Sequence, residues 1–211
     1  MTFTSGKSLR RTFVGALVAT AAAVAVLPAQ AQGAWPNKSV RIVIGFAPGG
    51  TTDVMARLIA QGLTEALGQT VIVDNKPGAS GNLAAGEVVK ATPDGYTVMI
   101  APTSVETANP SLFKSAILPS RDLTPVMGIG RTQMYLITRP GLEVKDAKQL
   151  VAMAKANPGK LSYASAGTGT PPQLAGELFK QSTGTFITHV PYRGAAPALQ
   201  DVMASQADMA F

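Results

Sequence analysis

From Val40 to Phe46 the chain reads VRIVIGF, an apolar, β-branched run, with Arg41 its one charged residue, of the kind that forms a buried strand. From Asp53 to Leu67 the spacing changes. Val54, Met55, Leu58, Ile59, Leu63, Ala66 and Leu67 recur at three- and four-residue intervals and predict a helix, with Thr52 or Asp53 at its start and Gly68 at its end. Val71-Ile72-Val73 predicts a second strand, and Asn82 to Ala91 a second helix. After the turn Pro93-Asp94-Gly95, Tyr96 to Ala101 predicts a third strand. Strand-helix alternation of this kind implies an α/β fold with a parallel sheet, helices on both faces and ligands beyond the carboxyl ends of the strands.

The same grammar resumes after Arg131. Strands are predicted at Met134–Thr138, Leu161–Ala164 and Phe186–Val190. Helices are predicted at Asp146–Ala156, Pro172–Thr183 and Ala195–Ala204. A boundary falls in Pro125–Gly130, giving a first lobe over residues 32–130 and a second over 131–211.

The first 31 residues follow a different pattern. Lys7, Arg10 and Arg11 precede an apolar stretch from Val14 to Leu27, and Ala29-Gln30-Ala31 is a small-x-small site. This is the organisation of a cleavable signal peptide, with the mature chain starting at Gln32 and working outside the cytoplasm. Arg10-Arg11 leaves the general and the twin-arginine export routes both open. The leader also accounts for half the net charge. The whole chain carries 18 basic and 12 acidic residues, and three of the basic ones lie in the leader, leaving 15 against 12. With no basic run and 6% aromatic residues, nucleic-acid binding is not expected. No cysteine and one histidine argue against disulfides, thiolate chemistry and a zinc site, and no cofactor is expected.

Candidate chemistry lies in the loops between strands and helices. Phe46-Ala47-Pro48-Gly49-Gly50-Thr51-Thr52-Asp53 could place main-chain N–H groups and a helix N-terminus around an anion, or could be a plain tight turn. Ser165-Ala166-Gly167-Thr168-Gly169-Thr170-Pro171 has the same character; its G-x-G-x-x-Q spacing departs from the dinucleotide fingerprint. In His189-Val190-Pro191-Tyr192-Arg193-Gly194, Arg193 could pair with an anion or stay solvated, and Tyr192 could wall a pocket. His189 is read as structural, since no serine or cysteine motif pairs with it. Ser80 could cap the helix that starts near Asn82 or touch a ligand, and is read as the cap.

Five blocks carry a resemblance to a known family. VRIVIGFAPGGTTDVMAR, DNKPGASGN, PDGYTVMIAPTS, LSYASAGTGTPPQLAGELF and HVPYRGAAPALQDVMASQADMAF resemble, in order, the tripartite tricarboxylate transporter receptors, or Bug family. The likeness runs from about Trp35 to Phe211. It implies a two-lobed periplasmic-binding-protein fold, a Venus flytrap, with the ligand in the cleft. It implies that a ligand carboxylate is gripped by Ala47, Pro48, Gly49, Gly50, Thr51 and Asp53 of one lobe. Ala166, Gly167, Thr168, Gly169 and Thr170 are the counterparts in the other, with Thr103 and Ser104 facing the same cleft. Phe46, Tyr192 and Arg193 complete the expected site. The family often has His where Gln173 stands, and its members run longer, so the second lobe is expected to be C-terminally incomplete, with Phe211 inside a strand.

The function expected is therefore that of an exported, monomeric, non-enzymatic receptor. It would capture a small carboxylate and deliver it to an inner-membrane permease of a tripartite tricarboxylate transporter. Two other readings stay open. One is an exported hydrolase acting through Ser165 or Ser104; the other is a ligand-sensing module for a membrane signalling partner.

Overall fold

The computed structural model describes residues 34–114 and 117–211; the expected leader and its cleavage site lie outside them. Strand β1 (Val40–Ile44) is the centre of a three-stranded parallel sheet, flanked by β2 (Val71–Asn75) and β3 (Thr97–Ile100). Its apolar residues are explained by burial on both faces, while Arg41 is half-buried and pairs with Asp74 and Glu87. Ile42 and Ile44 pack with Ala56 and Ala60 of helix α1 (Thr51–Leu67), while Val43 packs with Ala84 and Val88 of α2 (Asn82–Lys90). Gly68 ends α1 in the left-handed conformation, its N–H bonded to the Thr64 carbonyl.

One expectation for α1 is corrected. Val54 and Leu58 are 49% and 65% exposed, and the face toward the sheet is built on Ala56 and Ala60, with Ile59, Leu63 and Leu67 beside them. Small residues on that stripe let the helix approach the sheet closely, which turns the bulkier Val54 and Leu58 outward. Three short helices had no periodicity to reveal them: α3 (Ser104–Thr107), α4 (Asn109–Leu112) and α5 (Pro119–Asp122). Each is only one turn long, shorter than the window over which a helical repeat can be read.

Residues 123–136 contain no helix or strand, and the expected boundary lies among them. Beyond it stands a second sheet in the order β4-β7-β5-β6, formed by β4 (Ile137–Thr138), β5 (Ser162–Ser165), β6 (Thr188–Pro191) and β7 (Met209–Ala210). The pairs β5–β6 and β5–β7 are parallel, but β4 runs antiparallel to β7. β4 is also shorter than its predicted five residues, because β7 offers it only Met209 and Ala210 as partners. Helix α6 (Ala147–Ala156) covers one face of the sheet through Leu150 and Ala154, packed with Tyr163, Ile187 and Met209. Asp146 caps α6 by accepting from the Gln149 N–H at 2.8 Å. Helix α7 (Pro171–Thr183) comes so close to Tyr163 that a Cβ on Gly176 would sit 2.4 Å from the ring. The other face carries α8 (Ala195–Met203), with Ala198 and Val202 against Ala164 and Ala210. Lys38–Phe211 forms one compact unit, so the carboxyl ends of β1 and β5 meet within a single body.

Candidate functional site

The first loop is fixed from beneath by Asp53. This residue is 3% exposed, in the first turn of α1. Its carboxylate accepts from the Gly49 N–H at 2.9 Å, from Asn75 Nδ2 at 3.0 Å and from the Arg57 guanidinium at 2.9 Å. Asn75, at the end of β2, also donates to the Phe46 carbonyl at 3.0 Å. Burial pushes the Asp53 pKa up, but the hydrogen bonds from Arg57, Gly49 and Asn75, with the charge of Arg57, outweigh it and hold the carboxyl below its ordinary range. Both oxygens are occupied internally, so Asp53 positions the loop.

A pH signature follows from that arrangement. A folded-state pKa below the unfolded value contributes stability above about pH 4 and loses it as the medium is acidified further. Asp53→Ala should cost about 2 kcal/mol at neutral pH, because the Gly49 and Asn75 donors lose a charged acceptor. In urea melts the gap between wild type and variant should shrink at pH 3. A gap of equal size at both pH values would contradict this role.

The second loop is organised around Ser165, which is 1% exposed at the end of β5. Its hydroxyl accepts from the Gly167 N–H at 3.2 Å, lies 3.2 Å from the Gly167 carbonyl as a donor, and is 2.7 Å from His189 Nε2. Thr170 adds a hydroxyl bond of 2.6 Å to the same Gly167 carbonyl. The sequence reading left His189 without a serine partner; strand pairing supplies one by bringing β6 alongside β5. His189 stacks on Tyr163 at 4.8 Å between ring centres. Burial lowers its pKa, Glu177 opposes this and Lys180 adds to it, and the net effect keeps the ring neutral near pH 7. A buried serine hydroxyl held by the loop's own main chain is a loop anchor, and among the described residues no carboxylate hydrogen-bonds the second ring nitrogen.

Between the two loops lies a cavity of about 260 Å³. Of the residues named from sequence, Phe46, Ala166, Gly167, Thr168, Tyr192 and Arg193 line it. Gly45, Gly78, Ala79, Ser80, Phe113 and Pro191 line it as well; none of these was placed in the expected site, although Ser80 and Pro191 lie in loops singled out from sequence. Among the described residues Arg193 is the only charged one in the lining. Its guanidinium makes no ion pair among the described residues, while its carbonyl accepts from the Ala47 N–H at 2.8 Å. Among the described residues the N–H groups of Ala166 and Thr168 also donate to no other group. Tyr192 is held by a 2.6 Å bond to Asp201; burial and that carboxylate push its pKa up to about 12, so it stays a neutral wall.

The remaining named residues lie around the cavity instead of in its lining. Ala47, Gly49 and Gly50 pack against the 194–196 segment: a Cβ on Gly194 would meet the Ala47 nitrogen at 3.0 Å, and one on Gly49 would meet Ala196 at 3.3 Å. The Gly49 N–H is taken by Asp53, and the Gly169 N–H by Gln173 Oε1 at 3.1 Å, so neither of these amides is free for a guest. Pro48, Thr51 and Thr103 are exposed. Thr170 is buried against Gly167, and Ser104 is 2% exposed with a hydroxyl that finds no partner among the described residues. Ser80 does not cap α2: Gly81 holds the cap position, and the Ser80 hydroxyl turns to the Thr168 carbonyl.

Two α/β layers joined over a cation-bearing cavity at their strand ends define the class of the protein as a binding-protein fold. Residues 55–211 match the tripartite tricarboxylate transporter family receptor, and the chain belongs to that family. It is 38% identical over 177 residues to a UPF0065 protein of Bordetella pertussis, covering 84% of this chain and 55% of that protein. Among solved structures, R. palustris Rpa4515 with adipate superposes with a TM-score of 0.81 at 38% identity, over 83% of this chain and 59% of that one. MatC from Rhodopseudomonas palustris with bound malate superposes at 0.75 and 31% identity, over 83% and 60%. The chain thus spans little more than half the length of these relatives.

Proposed function

We propose that this chain is the ligand-capturing part of an exported solute receptor, and that it holds a small carboxylate in the cavity between the two loops. The observation that carries this reading is Arg193, among the described residues a lone cation in a cavity lined by no acidic side chain, flanked by the open N–H groups of Ala166 and Thr168. A carboxylate there gains a charge-assisted hydrogen bond and leaves no like charge opposite it. The cavity is at the small end of ligand sites, which suits a compact acid. Adipate and malate in the solved relatives are acids of this kind.

In this reading residues 32–130 and 131–211 are two lobes that close on the acid by a hinge movement. The leader directs export to the periplasm, and the loaded receptor, a monomer without cofactor, meets the inner-membrane permease of a tripartite tricarboxylate transporter. The buried placement of Ser165 favours capture over hydrolysis, since a nucleophile must reach its substrate.

A thermal-shift panel of mono- and dicarboxylates tests the proposal. An acid present at a hundred times its Kd adds about 2.7 kcal/mol, and so roughly 5–10 °C to the Tm of a chain of this size. A panel in which no carboxylate raises the Tm would contradict it.

A further inference from the structure

The turn from Gly78 to Gly81 is left-handed throughout, and two of its residues are not glycine: φ is 46° at Ala79 and 51° at Ser80. L-residues with side chains avoid this region, so two in succession need compensation from their surroundings. Ser80 has it on both sides. Its carbonyl accepts from Asn109 Nδ2 at 3.0 Å, and Asn109 is 0% exposed. Its hydroxyl crosses to the other half of the molecule and donates to the Thr168 carbonyl. The crossing depends on Gly167, where a Cβ would sit 3.1 Å from Ser80 Oγ and 3.3 Å from the Tyr192 carbonyl.

Ser80 and Thr168 both line the cavity. Their bond therefore spans the cavity from the β2–α2 loop to the β5–α7 loop. A main-chain link beside the cavity, Ala47 N–H to the Arg193 carbonyl, cannot be removed by changing a side chain. We infer that Ser80 is a closure latch: a side-chain hydrogen bond made between the halves when they shut, which sets how long a captured guest is retained. This rests on the receptor reading above, and it adds a positioning residue that touches the opposite half.

The latch separates two effects of substitution. Ser80→Ala removes the hydroxyl and keeps the unfavourable backbone. Ser80→Gly removes the hydroxyl and relieves the backbone, so it should raise the Tm while loosening closure to the same degree. A residue needed only for the shape of the turn would change Tm without changing closure.

The chain has no cysteine, so a pair introduced at Leu58 and Leu178, 65% and 62% exposed, can carry spin labels on opposite halves. Pulsed distance measurements on wild type, S80A and S80G, without acid and with saturating adipate or malate, read the closed population directly. The expected result is a roughly threefold to tenfold fall in the closed-to-open ratio for both variants, the range spanned by loss of one ordinary hydrogen bond. Distance distributions that superpose on wild type in every condition would overturn the latch. Adipate and malate leaving the wild-type distribution unchanged would count against the carboxylate reading instead, and the comparison made without acid would still decide the latch.

Discussion

Gly45→Ala is expected to destabilise the chain more than any other one-methyl change at the cavity. A Cβ at Gly45 would stand 2.4 Å from the Gly81 Cα and 3.3 Å from its carbonyl carbon and oxygen. The obstruction is main chain, so no side chain can rotate away from it. Gly45 directly follows the fully buried Ile44, and Gly81 begins the packing of α2 on the sheet, where Ala84 and Ala85 have no exposed surface. Separating the two backbones would move one of these layers, at a cost at or above the upper end of overpacking, about 3 kcal/mol. For a chain of this size that corresponds to a Tm lower by roughly 6–12 °C. Gly62→Ala is the matched control. It adds the same methyl group inside α1, where nothing lies within 4 Å, and should stabilise the chain by up to about 1 kcal/mol. Thermal melts of the two variants that move together would contradict the close backbone approach.

Arg193→Ala should produce the largest loss of affinity from a change confined to one side chain. Among the described residues the guanidinium is the only charge in the cavity wall, whereas the Arg193 carbonyl that receives the Ala47 N–H is main chain and survives the substitution. The fold is thus preserved while the counter-charge is removed. A hydrogen bond to a charged group is worth about 1.5–3 kcal/mol, so Kd for the dicarboxylate giving the largest thermal shift should rise roughly 10-fold to 150-fold. Because Arg193 is exposed, the wild-type affinity should also weaken with added salt, and the variant's should weaken less. Calorimetric titration at two ionic strengths checks both parts. A variant that binds the same dicarboxylate with unchanged Kd would show that Arg193 is a solvated surface residue.

The strand at the centre of the first sheet was legible because burial on both faces leaves a mostly apolar run, as in Val40–Ile44, where Arg41 alone is charged. Helix ends were legible where a residue type has one local use, as with Gly68, a left-handed cap. The site was legible only as loops following strands. Asp53 resembles a ligand contact because it sits beside the glycines, but its burial and the distant donors Asn75 and Arg57 determine its use, and burial is a property of the folded chain. Ser165 and His189 are 24 residues apart and become neighbours through parallel pairing of β5 with β6. Phe113 follows a one-turn helix with no periodic signal, and only tertiary packing brings it to the cavity. Ser80 was assigned to capping on local chemistry; its left-handed backbone instead delivers the hydroxyl to Thr168.

The account depends on a negatively charged guest entering between the two loops, and amide mapping by NMR addresses that point directly. On titration with the dicarboxylate giving the largest thermal shift, the largest changes should fall on the N–H signals of Phe46, Ser80, Ala166, Thr168 and Arg193. Saturable binding whose shifts instead cluster on the outward face of α1 at Val54 and Leu58, or along residues 123–136, leaving those five unmoved, would contradict it.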